Sequence, residues 1–85
     1  MAKYVKKPIP ITAIQWTGDN MAEIAEFTNG RCSFAKVGSG FSITIPTLEG
    51  EMGANAGDYI VRGVEGEFYT CRQDIFEKTY EKISE

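Results

Sequence analysis

The sequence predicts an α+β fold: a small, strongly curled antiparallel β-sheet or partial barrel of about five to six short strands, with one short α-helix packed on it. Two observations carry this expectation. Turn signals recur about every eight to ten residues through the second half of the chain, as a meander of short strands requires. One stripe of apolar residues at helical spacing, with its own start and stop signals, interrupts the strand-like pattern nearer the N-terminus. The 85 residues make one domain, 1–85, in which only about 60% of the unfolded chain's surface can be buried, so the core is thin.

From Tyr4 to Trp16 the chain is rich in β-branched residues. Ile9, Ile11 and Ala13 fall on one face of a strand, and Thr12, Ile14 and Trp16 on the other. The apolar face changes between Ala13 and Ile14, so either a bulge shifts the register or the second half is buried on both sides. Pro8 and Pro10 place the start of this strand at a sheet edge. "TGDN" turns the chain, and Asn20 with Glu23 has capping-box spacing. Met21, Ile24, Ala25 and Phe27 or Thr28 then form the helical stripe, which Asn29-Gly30 ends.

The interval 31–40 reads as a short strand or a loop. Phe41, Ile43 and Ile45 alternate with Ser42 and Thr44 as a half-buried strand ending at Pro46, and "TLEGE" turns it into a strand containing Met52 and Ala54. "NAGD" turns again, and "DYIVRG" and "EFYTC" form a hairpin through "VEGE". In "RQDIFEKTYEKI", Asp74 and Glu77 have capping-box spacing, which predicts a single helical turn. The tail from Thr79 to Ile83 is expected as a strand beside Tyr4–Ile11. The expected core is Ile9, Ile11, Ile14, Ile24, Phe27, Ile43, Ile45, Ile60, Phe68, Phe76 and Tyr80.

Composition narrows the function. A formal charge of −3 opposes phosphate backbones, so nucleic acid is not an expected partner; Lys3, Lys6 and Lys7 read as solvating an edge strand. No apolar run approaches the ~20 residues of a membrane span. Cys32 and Cys71 lack C-x-x-C spacing and no charged-then-apolar leader precedes them, which reads as reduced thiols in a cytoplasm. Histidine is absent, which removes Ser-His-Asp and Cys-His nucleophilic sites and the common zinc ligand sets. No catalytic residue, metal ligand or cofactor is therefore expected. The glycines of "AGDY" and "GVEG" lie between strands, where neither a P-loop nor a dinucleotide fingerprint fits, and they read as turns.

Four stretches occur in order: "KKP" with "QWTG", "TLEG", "GDYIVRGVEGEFYTC" and "DIFEKTYE". With them the chain resembles the PGDYG family of small bacteriophage and prophage proteins of unknown function, the likeness covering most of its length. Ala56 stands where the family pattern has proline. The resemblance implies an accessory product of a phage genome in a host bacterial cytoplasm, and it brings no catalytic residue with it.

The residues best suited to binding are Trp16, Tyr59, Arg62, Glu67, Tyr69 and Arg72. In the structural reading, Arg62 and Glu67 face each other across the "VEGE" hairpin as an exposed ion pair of about 0.2–1 kcal/mol. In the functional reading, the ring faces of Trp16, Tyr59 and Tyr69 surround Arg62 and Arg72, a combination that suits an anionic planar ligand and equally suits a protein interface. Phe68 and Tyr69 are consecutive strand residues, so one is exposed or is covered by a helix or a second subunit. The expected function is a non-catalytic module that engages a host protein, with a possible homodimer. Sequestration of a nucleotide-like small molecule is the first alternative, and a phage structural or assembly role the second.

Overall fold

The computed structural model describes residues 1–83, so the last two positions of the expected domain lie outside the described residues. Among the described residues the elements run β1 (Thr12–Gln15), α1 (Met21–Phe27), β2 (Ser33–Val37), β3 (Gly40–Thr47), β4 (Gly50–Ala54), β5 (Tyr59–Arg62), β6 (Phe68–Cys71) and α2 (Gln73–Thr79). They form an α+β fold with two antiparallel three-stranded sheets, ordered β1-β5-β6 and β2-β3-β4. The sheets do not close on one another, and there are two helices where the sequence suggested one.

The second sheet is a meander set by its turns. Gly50 takes φ +105°, a conformation open to glycine. The Thr47 hydroxyl donates to the Gly50 carbonyl at 2.7 Å and accepts from the Glu49 N–H at 3.1 Å. This fixes the register Ile43↔Ala54, Ile45↔Met52 and Thr47↔Gly50, and the interval 31–40 joins as β2 through Phe34↔Ile43.

The turn after β4 explains why the sheet does not continue to curl. The Asp58 N–H bonds to the Asn55 carbonyl at 2.9 Å, with Gly57 at φ +101°. Gly57 N–H then donates to the Trp16 carbonyl at 2.6 Å, and Trp16 N–H to the Asp58 carbonyl at 2.8 Å. These bonds send β5 to β1, with Ile14↔Ile60 in register, and leave β6 as a sheet edge.

The predicted strand from Tyr4 is shortened to Thr12–Gln15, and residues 1–11 lie outside the sheets. Pro8 and Pro10 account for this: they remove two N–H donors at alternate positions, hence from the same side of any ladder. The Ile9 N–H instead closes a tight turn onto the Lys7 carbonyl at 2.8 Å. Residues 80–83 are likewise no strand; the two end segments meet through side chains, with the Lys6 ammonium donating to the Tyr80 hydroxyl.

Alternation gives the first sheet two occupied faces. One carries Ile14, Ile60 and Phe68 toward the core, where they join Trp16, Ile24, Ile43 and Ile45. The other carries Tyr59, Val61, Tyr69 and Cys71 and is covered by α2 and Tyr80. Of the expected core, Ile9 is exposed and Ile11, Ile14, Phe27, Phe76 and Tyr80 are only partly buried, whereas Trp16, Val61 and Thr28, which it did not include, are fully buried. Thr28 is tolerated there because its hydroxyl donates to the Ile24 carbonyl at 2.9 Å.

Neither capping box forms. The Asn20 side chain turns back, accepting from the Thr17 N–H and donating to the Gln15 carbonyl, both at 2.9 Å. α1 does stop at Asn29 and Gly30, with φ +56° and +79°. α2 is two turns rather than one; Asp58, arriving from the β4–β5 turn, accepts from its first N–H, that of Gln73, at 3.3 Å. Among the described residues no helix is long and apolar enough to cross a membrane.

Candidate functional site

The six residues singled out by sequence do not assemble into one site. Trp16 is 1% exposed and lies against Phe34 with ring centroids 5.8 Å apart, so it offers no face to a ligand. Arg62 is in register with Phe68, and its guanidinium lies 5.0 Å from the centre of the Phe27 ring. Arg72 follows Cys71 at the far end of β6 and pairs with Asp74 at 2.9 Å, both groups exposed. Phe68 and Cys71 are three strand residues apart, about 10 Å. The two arginines therefore do not converge.

The expected Arg62–Glu67 pair is absent among the described residues. The register sets Arg62 against Phe68 and Glu67 against Gly63, so alternation turns the two charges to opposite faces. Glu67 instead caps its own hairpin, accepting from the Glu65 N–H at 3.0 Å. Its carboxylate occupies the space a side chain at Gly63 would need.

On the face under α2, Tyr59 stacks on Phe76 and its hydroxyl lies 3.5 Å from the Glu77 carboxylate. Burial and then the Glu77 charge hold the Tyr59 hydroxyl above its ordinary pKa. Tyr69 and Tyr80 approach hydroxyl to hydroxyl at 3.5 Å. Tyr69 is pushed far up, chiefly by burial and then by that bond. Tyr80 moves down, first through the Lys6 ammonium and then through Tyr69. Tyr80 thus accepts from the Lys6 ammonium and shares a hydroxyl contact with Tyr69. Burial, followed by the charge of Asp58, raises the Cys71 thiol, which keeps it protonated and a poor nucleophile near neutral pH. Among the described residues no three His, Cys, Asp or Glu side chains are grouped to hold a metal ion.

Glu67 and Tyr69 do share a location: both line two adjoining open grooves. The larger, about 330 Å³, is bounded by Thr47, Leu48, Glu49 and Met52 of the β3–β4 hairpin and by Glu67, Phe68, Tyr69 and Thr70. Four consecutive residues at one wall mean that the groove runs along the edge of β6. The Gly63–Glu67 hydrogen bond makes Val61–Tyr69 the next hydrogen-bonded pair of the ladder, so the N–H and C=O groups of Phe68 and Thr70 point away from β5. The smaller groove, about 200 Å³, lies between Gly63, Val64, Glu67 and Tyr69 and the N-terminal residues Lys6, Lys7, Ile9 and Ile11.

Sequence reasoning missed the β3–β4 hairpin as a wall of this site. Its signal is Leu48, 85% exposed at the tip of "TLEG", where turn chemistry favours small polar residues. The larger groove has the makings of a docking site: apolar floor from Met52 and Phe68, carboxylates at its margin, and outward backbone groups along one side. Comparison with protein-family models, with curated proteins and with solved structures gives no match to this chain.

Proposed function

We propose that the protein is a non-catalytic binding module, an accessory product of a phage or prophage genome, that engages a host protein in the bacterial cytoplasm and alters its activity. The observation that carries this reading is the groove beside β6, where an unpaired strand edge lies against Leu48 and Met52. Such an edge recognises an extended segment by main-chain hydrogen bonds, and the flanking pockets select its side chains. The resemblance to small phage proteins supports the biological setting.

The nucleotide-sequestering alternative has less support, because Arg62, on β5 opposite Phe68, and Arg72, after Cys71, lie at opposite ends of the β5–β6 hairpin ladder and Trp16 is buried. A structural or assembly role would instead place the protein in purified virions. The test is photo-crosslinking from Leu48 in infected cells. One host protein should crosslink reproducibly, and Met52→Asp should abolish capture without unfolding the chain. Absence of any specific host protein, or capture indifferent to Met52→Asp, rejects the reading.

A further inference from the structure

The charge of this chain is divided along its length. Lys3, Lys6 and Lys7 precede every acidic residue, the first being Asp19, whereas residues 19–85 hold six basic and twelve acidic side chains. The basic segment lies within residues 1–11, which belong to neither sheet. Tyr4 and Val5 are 93% and 91% exposed, and the molecule measures 47 × 26 × 23 Å with a radius of gyration of 13.7 Å, against the about 12 Å of a compact chain of this length. The segment is tied down at Lys6, by Tyr80, on the face of the first sheet that α2 covers. The larger groove lies against the β3–β4 hairpin, between Glu49 and Glu67.

The geometry points to a dimer in which, with Lys6 kept on Tyr80 of its own copy, the residues on either side of it, Lys3–Val5 and Lys7, reach into the larger groove of the other. Tyr4 and Val5 meet Leu48, Met52 and Phe68, and Lys3 and Lys7 meet Glu49 and Glu67. Charge complementarity selects this occupant: a segment with three lysines and no carboxylate suits a groove with two carboxylates and no base. The exchange is reciprocal, so the interface closes with two-fold symmetry. It covers the β6 edge, which would otherwise promote aggregation. A host segment then enters by displacing the arm. This inference rests on the reading of the groove as a docking site.

Two charge-reversed variants of the full chain test it, each checked for folding by circular dichroism and weighed by sedimentation. K3E/K7E leaves Lys6 on Tyr80 and reverses the arm; E49K/E67K reverses the groove. The wild-type chain should dimerise, and raising salt from about 0.05 M to about 0.5 M should weaken it. Each variant alone should bind itself at least about tenfold more weakly. An equimolar mixture should restore a dimer containing one copy of each, because the acidic arm then meets the basic groove and the basic arm the acidic groove. A wild-type monomer up to about 100 µM, or a dimer that either variant leaves intact, overturns the proposal; the latter outcome would indicate direct pairing of β6 edges. A monomeric wild type whose host-protein capture is still lost in E49K/E67K removes the arm and leaves the proposed function. A dimer that behaves as stated, with capture unchanged in E49K/E67K, removes the proposed function and leaves the arm.

Discussion

Tyr59 and Phe76 stack with ring centroids 3.9 Å apart and planes inclined by 13°. This pair fastens α2 to the outer face of the first sheet, and Phe76 in turn meets Tyr80 at 4.8 Å. A helix of seven residues has no stability of its own in water, so its presence depends on these ring contacts and on the Asp58–Gln73 hydrogen bond. Phe76→Ala should therefore release α2 while leaving the core, which lies on the sheet's other face, in place. The expected cost is about 1–2 kcal/mol. Hydrogen exchange checks it: amides of residues 73–79 should lose protection and those of β3 and β5 should keep it. Equal loss throughout would mean that α2 is integral to the core.

The tyrosine cluster predicts an ordered alkaline titration. Tyr80 is held below its ordinary value near 10, and Tyr59 and Tyr69 above it. In ultraviolet difference spectra Tyr80 should ionise before Tyr59 and Tyr69, and Lys6→Ala should move the Tyr80 step upward. The stability consequences have opposite signs. Tyr80 loses its proton more readily folded than unfolded, so it adds stability as pH rises through its depressed pKa toward 10. Tyr59 and Tyr69 hold their protons more tightly when folded; their contribution is complete below pH 10 and is lost as pH rises through their raised values. Denaturant melts across the alkaline range should show Tyr69→Phe removing part of the loss at high pH.

The turn at residues 55–58 predicts a stabilising change. Gly57 at φ +101° and the Asp58–Asn55 hydrogen bond describe a turn whose second position, Ala56, is one that proline favours. Ala56→Pro should add about 0.4–1 kcal/mol by restricting the unfolded chain. Gly57→Ala should cost about 1–3 kcal/mol, from the positive φ and from a Cβ placed 2.7 Å from the Gln73 side chain. Urea melts of the two variants should shift in opposite directions.

The parts of the fold that were legible in sequence are those written in local chemistry. Gly50, Gly57 and Asn29-Gly30 mark chain reversals because few other residues tolerate their dihedral angles, and Ile43 and Ile45 alternate because one side of β3 is buried. The partition of the strands into two sheets was not legible, since it depends on Gly57 and Asp58 bonding to Trp16, about forty residues away. The same tertiary bond network hid the caps: Asn20 and Asp74 have the right spacing, but Asn20 is recruited by Gln15, and α2 takes Asp58 instead. For the candidate site, Glu67 and Tyr69 were found and the other wall was not. Hairpin register decides which charges face each other, and one position of difference separates an Arg62–Glu67 pair from two charges on opposite faces.

Trp16 is the chain's single tryptophan, which lets one residue report whether the aromatic positions serve folding or recognition. Its side chain is 1% exposed and joins the cluster of Ile24, Ile43, Ile45, Ile60 and Phe68. Removing it should leave a void at the junction of both sheets and α1. Trp16→Ala should cost about 3–5 kcal/mol, a large share of the stability of a domain this small. In the wild type, the fluorescence should be blue-shifted and resistant to a soluble quencher until denaturant exposes the ring, with one transition shared by fluorescence and circular dichroism. Saturating nucleotides should leave the emission unchanged. A strongly quenched native signal, or a shift on adding nucleotide, would show that the ring is available to ligands and would return Trp16 to the binding surface.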